Sequence, residues 1–193
     1  MIKSTKMLLE EYSNYAKPHD KIKRLVESKE LTPIVKGLYE TDSTIPGYYL
    51  AGVICGPSYL SFEFALSYYG VIPEAVYTFT SASFLKRKKK KYNNPFGYFT
   101  YQDVPKAAYP FGIKIINENG YTFQIAIPEK ALCDKLYSLS PLQNQVELQS
   151  LLFDDLRIDK NEFSKLNKED IKILADKYKS TNVTLLSKFM RRV

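Results

Sequence analysis

Along residues 58–81 apolar and aromatic side chains outnumber polar ones, and their spacing changes partway. Leu60, Phe64 and Ser67 fall on one side of a helix and Phe62, Ala65, Leu66 and Tyr69 on others, so 58–69 is expected to form a helix apolar over most of its circumference and therefore buried. Gly70 suits a left-handed cap and Pro73 stops the helix from continuing. Val76 to Thr80 then alternate β-branched and aromatic residues, the pattern of a strand. Ser61 and Glu63 interrupt the apolar stretch, and a buried Glu63 needs partners because an unpaired interior charge costs several kcal/mol.

Elsewhere the pattern is mixed. Thr5 to Tyr15 reads as a helix with a partly apolar face, and Pro18 to Ser28 as a second helix opened by proline, with Ile22, Leu25 and Val26 on one side. Leu31–Val35 and Leu38–Thr41 form a short hairpin about Lys36 and Gly37, where glycine permits the positive φ of the turn. Two more hairpins are expected, one around Pro95-Phe96-Gly97 and one around Asn119-Gly120, which with the strand at 76–80 make an antiparallel sheet of about four or five strands. Pro128 opens a helix carrying Ala131, Leu132, Lys135 and Leu136, and another runs from Leu142 to Phe153. The tail reads as three helices capped by Asp159, Asn167 and Asn182, the last extending to Arg192 and made basic by Lys188, Arg191 and Arg192. The expected class is α+β: a small amino-terminal unit over 1–48, then a sheet domain with a helical carboxyl part over 49–193.

Composition narrows the picture. With 193 residues and 45% hydrophobic content the chain can bury a real core. It has no apolar run of membrane-span length and no signal-peptide pattern at its start, so the expectation is a cytoplasmic protein without membrane partners. Cys55 and Cys133 sit far apart in apolar surroundings and read as buried free thiols. The net charge of +7 is uneven. Residues 1–48 hold 8 basic and 7 acidic side chains, whereas Lys86, Arg87, Lys88, Lys89, Lys90 and Lys91 are consecutive. Such a run cannot be buried and is expected in an exposed loop or at a hairpin tip, either touching phosphates or merely solvated.

Four segments, VKGLYE at 35–40, YLSFEFALSYYGVIPEAVYTFTS at 59–81, NPFGYFTY at 94–101 and IPEKALCDKLY at 127–137, together resemble the AbiEi-type antitoxin family, regulators of type IV toxin-antitoxin systems in abortive infection and phage defence. The resemblance covers roughly residues 20–140. It implies an amino-terminal winged-helix DNA-binding domain that acts as a transcriptional regulator, a carboxyl-terminal domain needed to neutralise a toxin, and a nucleotidyltransferase-like toxin as genetic partner, with physical contact between the two left open. The chain departs from the family between its first two helices. Only Ala16 to Asp20 separate them, where the family usually carries a further short helix, so the module is expected to be a shortened winged helix.

The residues add candidate contacts. Lys21, Arg24 and Ser28 form a stripe on the second helix with Lys17 one turn earlier, and Lys36 tips the hairpin, an arrangement suited to a recognition helix and wing on promoter DNA. Lys86 to Lys91 are the further phosphate candidates. The same stripe also suits an ordinary surface helix, which leaves open a protein-interaction module, with a homodimer among its partner states, that neutralises a toxin directly without sequence-specific DNA binding. Ser61, Glu63, Tyr69, Glu129 and Lys130 are expected to form a buried polar network joining the helix at 58–69 to that at 128–138. Enzymatic chemistry is not expected, and no catalytic, metal or cofactor residues are assigned. A single His19 precludes a Ser-His-Asp set, no glycine-rich phosphate loop occurs, and Glu63, Asp134 and the Glu129-Lys130 pair lack nuclease ligand spacing.

Overall fold

The computed structural model describes residues 1–191, so Arg192 of the expected last helix lies outside the described residues. The chain opens with β1 (Ile2–Ser4), α1 (Thr5–Glu11) and α2 (Pro18–Glu27), followed by the hairpin β2 (Thr32–Val35) and β3 (Leu38–Glu40). The hairpin is as expected, with Gly37 at φ +85° in its turn. No alternation marks β1, because three residues pass directly into a helix. It nevertheless pairs antiparallel with β3, Ser4 opposite Leu38, and gives the sheet order β1-β3-β2. Ser4 then caps α1 by accepting the Met7 N–H at 3.2 Å. The helix stops at Glu11, short of the expected Tyr15, so that Tyr12 and Tyr15 meet edge to face. Leu8, Ile22, Leu25 and Leu31 make a small separate core under these elements.

After a 3-10 turn (Gly47–Leu50) and α3 (Ala51–Ile54) comes β4 (Ser58–Leu60), then α4 (Phe62–Tyr68) and β5 (Thr78–Ser83). The helix expected from residue 58 therefore begins four residues later. A short, mostly apolar segment reads alike as buried helix or central strand, and here its first three residues pair with β5 while Leu60 also pairs with β9. Phe62, at φ +52°, makes the sharp turn from strand to helix, and Gly70, at φ +70°, closes the helix while Val71 N–H reaches Leu66 O at 2.8 Å.

β6 (Lys90–Asn94), β7 (Gly97–Asp103), β8 (Ile113–Glu118) and β9 (Tyr121–Ala126) complete a six-stranded sheet of order β6-β7-β5-β4-β9-β8. The α+β class is as expected, and three of the five pairings are antiparallel; β5–β7 and β4–β9 run parallel. The first parallel pair arises because β6 takes the sheet edge, so β7 returns between it and β5. Asn119 (φ +50°) and Gly120 (φ +79°) form the expected tight turn from β8 to β9.

The helical part lies on this sheet: α5 (Pro128–Tyr137), α6 (Gln145–Ser150) running into a π-helical turn (Leu151–Asp155), α7 (Lys160–Ser164), α8 (Lys168–Tyr178) and α9 (Thr181–Met190). Asp159 and Asn167 cap α7 and α8 as expected, each accepting two backbone N–H groups. α6 starts at Gln145 rather than Leu142 because Asn144 caps it. Asn182 is no cap: it lies inside the first turn of α9, 1% exposed, donating to Leu136 O at 2.9 Å and Ser140 O at 3.0 Å and accepting the Leu142 N–H at 2.8 Å.

A continuous apolar core runs from Tyr49 to Met190 and takes in Ile34 of β2, whose carbonyl accepts a 3.0 Å bond from Asn94 at the end of β6. Cys55 and Cys133 are buried and free. Among the described residues no helix is long and apolar enough to cross a membrane.

Candidate nucleic-acid interface

Pro18 sets the first turn of α2 and Asp20 favours its positive end, while Ile22 and Leu25 are buried against α1. Burial of that face turns Lys17, His19, Lys23, Arg24 and Glu27 to solvent. The expected stripe is only partly kept. Arg24 and Lys17 are exposed, whereas Lys21 folds back with its ammonium 5.6 Å from the Tyr15 ring centre and 5.9 Å from that of Tyr12. Ser28 is turned to the helix end, its hydroxyl donating to Glu30 at 2.7 Å. Lys23, not singled out from the sequence, stands exposed 3.9 Å from Glu27. Lys36 is exposed at the tip of the hairpin, and the Gly37 carbonyl beside it accepts the Thr5 N–H at 2.9 Å, which fixes the tip to the start of α1.

The lysine run is not a hairpin tip. It crosses from β5 to β6 and ends inside β6, an edge strand, where lysine also discourages edge-to-edge pairing. The crossing is pinned: Lys86 donates to Gly56 O at 2.7 Å, and Asp103 accepts the Arg87 N–H at 2.8 Å while its other oxygen accepts the Ser83 hydroxyl at 2.8 Å. Leu85 and Arg87 both have φ near +60°, conformations that non-glycine residues hold only when surroundings impose them. Arg87, Lys88, Lys89 and Lys91 are exposed and Lys86 and Lys90 half-buried, so none is lost to the core.

The buried polar network exists with different members. Asp134, wholly buried on α5, accepts the Ser61 hydroxyl at 2.6 Å, the Tyr59 hydroxyl at 3.1 Å and the Tyr178 hydroxyl. Lys130, one turn before it, donates to Tyr178 at 2.5 Å and to Ala108 O at 2.8 Å, with its ammonium 3.5 Å from Asp134. Burial pushes the Asp134 carboxyl up and the Lys130 ammonium down, while each charge pulls the other back toward ionisation. Burial likewise raises the Tyr59 and Tyr178 phenols well above their ordinary value.

Ser61 and Lys130 are members as expected, and the Ser61–Asp134 bond ties the start of α4 to α5, but three expected members stand apart. Glu63 is about a third exposed and pairs with Lys135, because the helix starts late and turns it outward. Glu129 accepts the Asn167 N–H at 2.7 Å, and the Tyr69 hydroxyl is buried without a partner among the described residues. Tyr59, Asp134 and Tyr178 belong to the network without having been expected there; the i, i+4 spacing of Lys130 and Asp134 was the sequence signal that could have found the pair. Among the described residues no three His, Cys, Asp or Glu side chains stand close enough to hold a metal ion. No family model matches the chain, and no curated protein matches it.

Proposed function

We propose that this protein binds promoter DNA through α2 and the β2–β3 hairpin, and serves as the antitoxin of a type IV toxin-antitoxin system that represses its own operon and counteracts a nucleotidyltransferase-like toxin. The observation that carries the DNA-binding part is the amino-terminal unit itself: strand, two helices and a hairpin closing a β1-β3-β2 sheet, with Lys17 at the start of the last helix, Lys23 and Arg24 outward on it and Lys36 at the hairpin tip. A helix anchored on one side and basic on the other, followed at once by a basic-tipped hairpin, is what a winged helix sets against the major groove and its phosphates. The antitoxin part rests on the resemblance of the four sequence segments.

Binding of the purified chain to its promoter and to a scrambled duplex, followed by fluorescence anisotropy over a salt series, tests this. Tighter binding to the promoter is expected, and the double variant Lys17→Ala/Arg24→Ala should weaken it and flatten the logarithmic salt dependence by about 0.9 for each phosphate that is no longer neutralised. Equal, weak binding to both duplexes would discard the repressor reading. The exposed acidic Asp20 and Glu27 interleaved with the basic residues of α2 favour a second reading in that event, an interaction module that neutralises the toxin by direct association. A stable toxin complex without salt-dependent DNA binding would identify it.

A further inference from the structure

Strand alternation divides the lysine run, and the division builds a surface that the α2 site does not use. In β6, Lys91 and Asn93 point to one face while Lys90 and Tyr92 point to the other, where Tyr92 packs on Tyr101. The ladders fix their neighbours. Asn93 lies opposite Tyr98, which lies opposite Thr78; Lys91 lies opposite Thr100, which lies opposite Thr80. Lys89, one residue before β6, extends the same register to Gln102. Lys89, Lys91, Asn93 and Tyr98 are exposed and the threonines and glutamine half-buried, so the β6 and β7 side of this face is open to solvent, while the start of α4 meets it at Thr80, whose hydroxyl accepts the Phe64 N–H at 3.1 Å. The face descends into a cavity of about 300 Å³, floored by Thr80, Thr100 and Gln102 and walled by Lys89, Ser138 and the Glu63–Lys135 ion pair.

We infer that this face is a binding surface for single-stranded nucleic acid. Each group it presents has a counterpart in such a strand. Lys89 and Lys91 lie two residues apart on the sheet edge and meet successive phosphates; the Tyr98 ring gives a base a surface to stack on; Asn93 and Gln102 present amides to base edges. Glu63 leaves no free negative charge in the wall because Lys135 neutralises it. A duplex is the wrong shape here. Its bases are stacked away from a flat sheet, and no element projects from these three strands into a groove. Asp103 pins the backbone of the crossing at Ser83 and Arg87, two residues before Lys89, which limits the backbone ordering that binding would require.

The test is anisotropy of a labelled oligo(dT) with the full chain over a salt series, on the wild type and on Lys89→Ala/Lys91→Ala, Tyr98→Ala and Lys17→Ala/Arg24→Ala variants. The lysine pair should flatten the logarithmic salt dependence by about 1.4, the single-strand value for two phosphates. Tyr98→Ala should weaken binding roughly 5- to 150-fold, the span of base-aromatic stacking. Lys17→Ala/Arg24→Ala should leave oligo(dT) binding intact, so failure of the α2 site and of this face are read separately. All the substituted side chains are exposed, and unchanged thermal unfolding verifies that the variants fold. Absence of oligo(dT) binding, or binding that the Lys89/Lys91 and Tyr98 substitutions leave unchanged, would overturn the inference. So would a protein complex abolished by those substitutions in a chain that ignores oligo(dT), which would assign the face to an acidic protein instead.

Discussion

Asp134 concentrates the demands that burial makes on a single residue: its carboxyl meets three hydroxyls and an ammonium in a space closed to water. Removing one member leaves the others without compensation, so Asp134→Ala is expected to destabilise the fold by about 3–5 kcal/mol, read from urea unfolding. The double variant Lys130→Met/Asp134→Leu should cost less than Asp134→Ala alone, since it removes both charges and keeps the volume filled. A double variant less stable than the single would show that the pair stabilises beyond its mutual compensation. At this scale the sequence was half legible. Ser61 and Lys130 stood out because polar residues in apolar company need partners. Glu63 and Glu129 stood out for the same reason and misled, because carboxylates on longer side chains reach the surface or a neighbouring backbone N–H. Nothing in the sequence singles out Tyr59 or Tyr178, and only the fold brings their hydroxyls to Asp134.

Among the elements, the helices that sequence located well, α5, α7 and α8, begin with proline or a capping side chain that signals its own role. Asn182 has the same chemistry and a different task, since its amide serves the carbonyls at the end of α5 and the Leu142 N–H rather than its own helix. Asn182→Ala would leave those buried groups unpaired, so it should cost about 1–3 kcal/mol. Hydrogen exchange should quicken in α9 and in the segment joining α5 to α6. Faster exchange confined to the first turn of α9 would mean that Asn182 acts as a local cap after all. β4 was illegible for a different reason: three buried residues carry no period, and its strand character comes from β5 and β9 alone. The candidate face on β5, β6 and β7 was likewise hidden, although its parts were not. The lysine run was obvious as charge, but which lysines share a face with Tyr98 depends on the ladder register.

Across the whole molecule, tyrosine sets the tolerance to pH. Burial raises the phenols of Tyr59, Tyr101 and Tyr178 above their ordinary value, and those of Tyr109 and Tyr121 to about 12. The folded chain holds these protons where the unfolded chain releases them. Their contribution is therefore complete below about pH 10 and declines as pH rises toward the folded values, by about 1.4 kcal/mol per pH unit for each fully buried phenol. Urea midpoints should fall steeply above about pH 10, with tyrosinate absorbance rising together with unfolding. Tyrosinate formed without unfolding would contradict the burial of these rings. The α+β class was legible at this scale from its hairpins and capped helices, while the mixed strand order was not, because it depends on which strand takes the edge. That order also has a history in time. β4 is the seam of the large sheet, and while β5 can pair with it soon after both are made, Leu60 has no second neighbour until Ile125 exists. On the ribosome this leaves one side of the seam open for several seconds at ordinary elongation rates. The nascent chain therefore passes through an interval in which a strand buried along its whole length in the folded protein has an unguarded edge, and chaperones would meet it there.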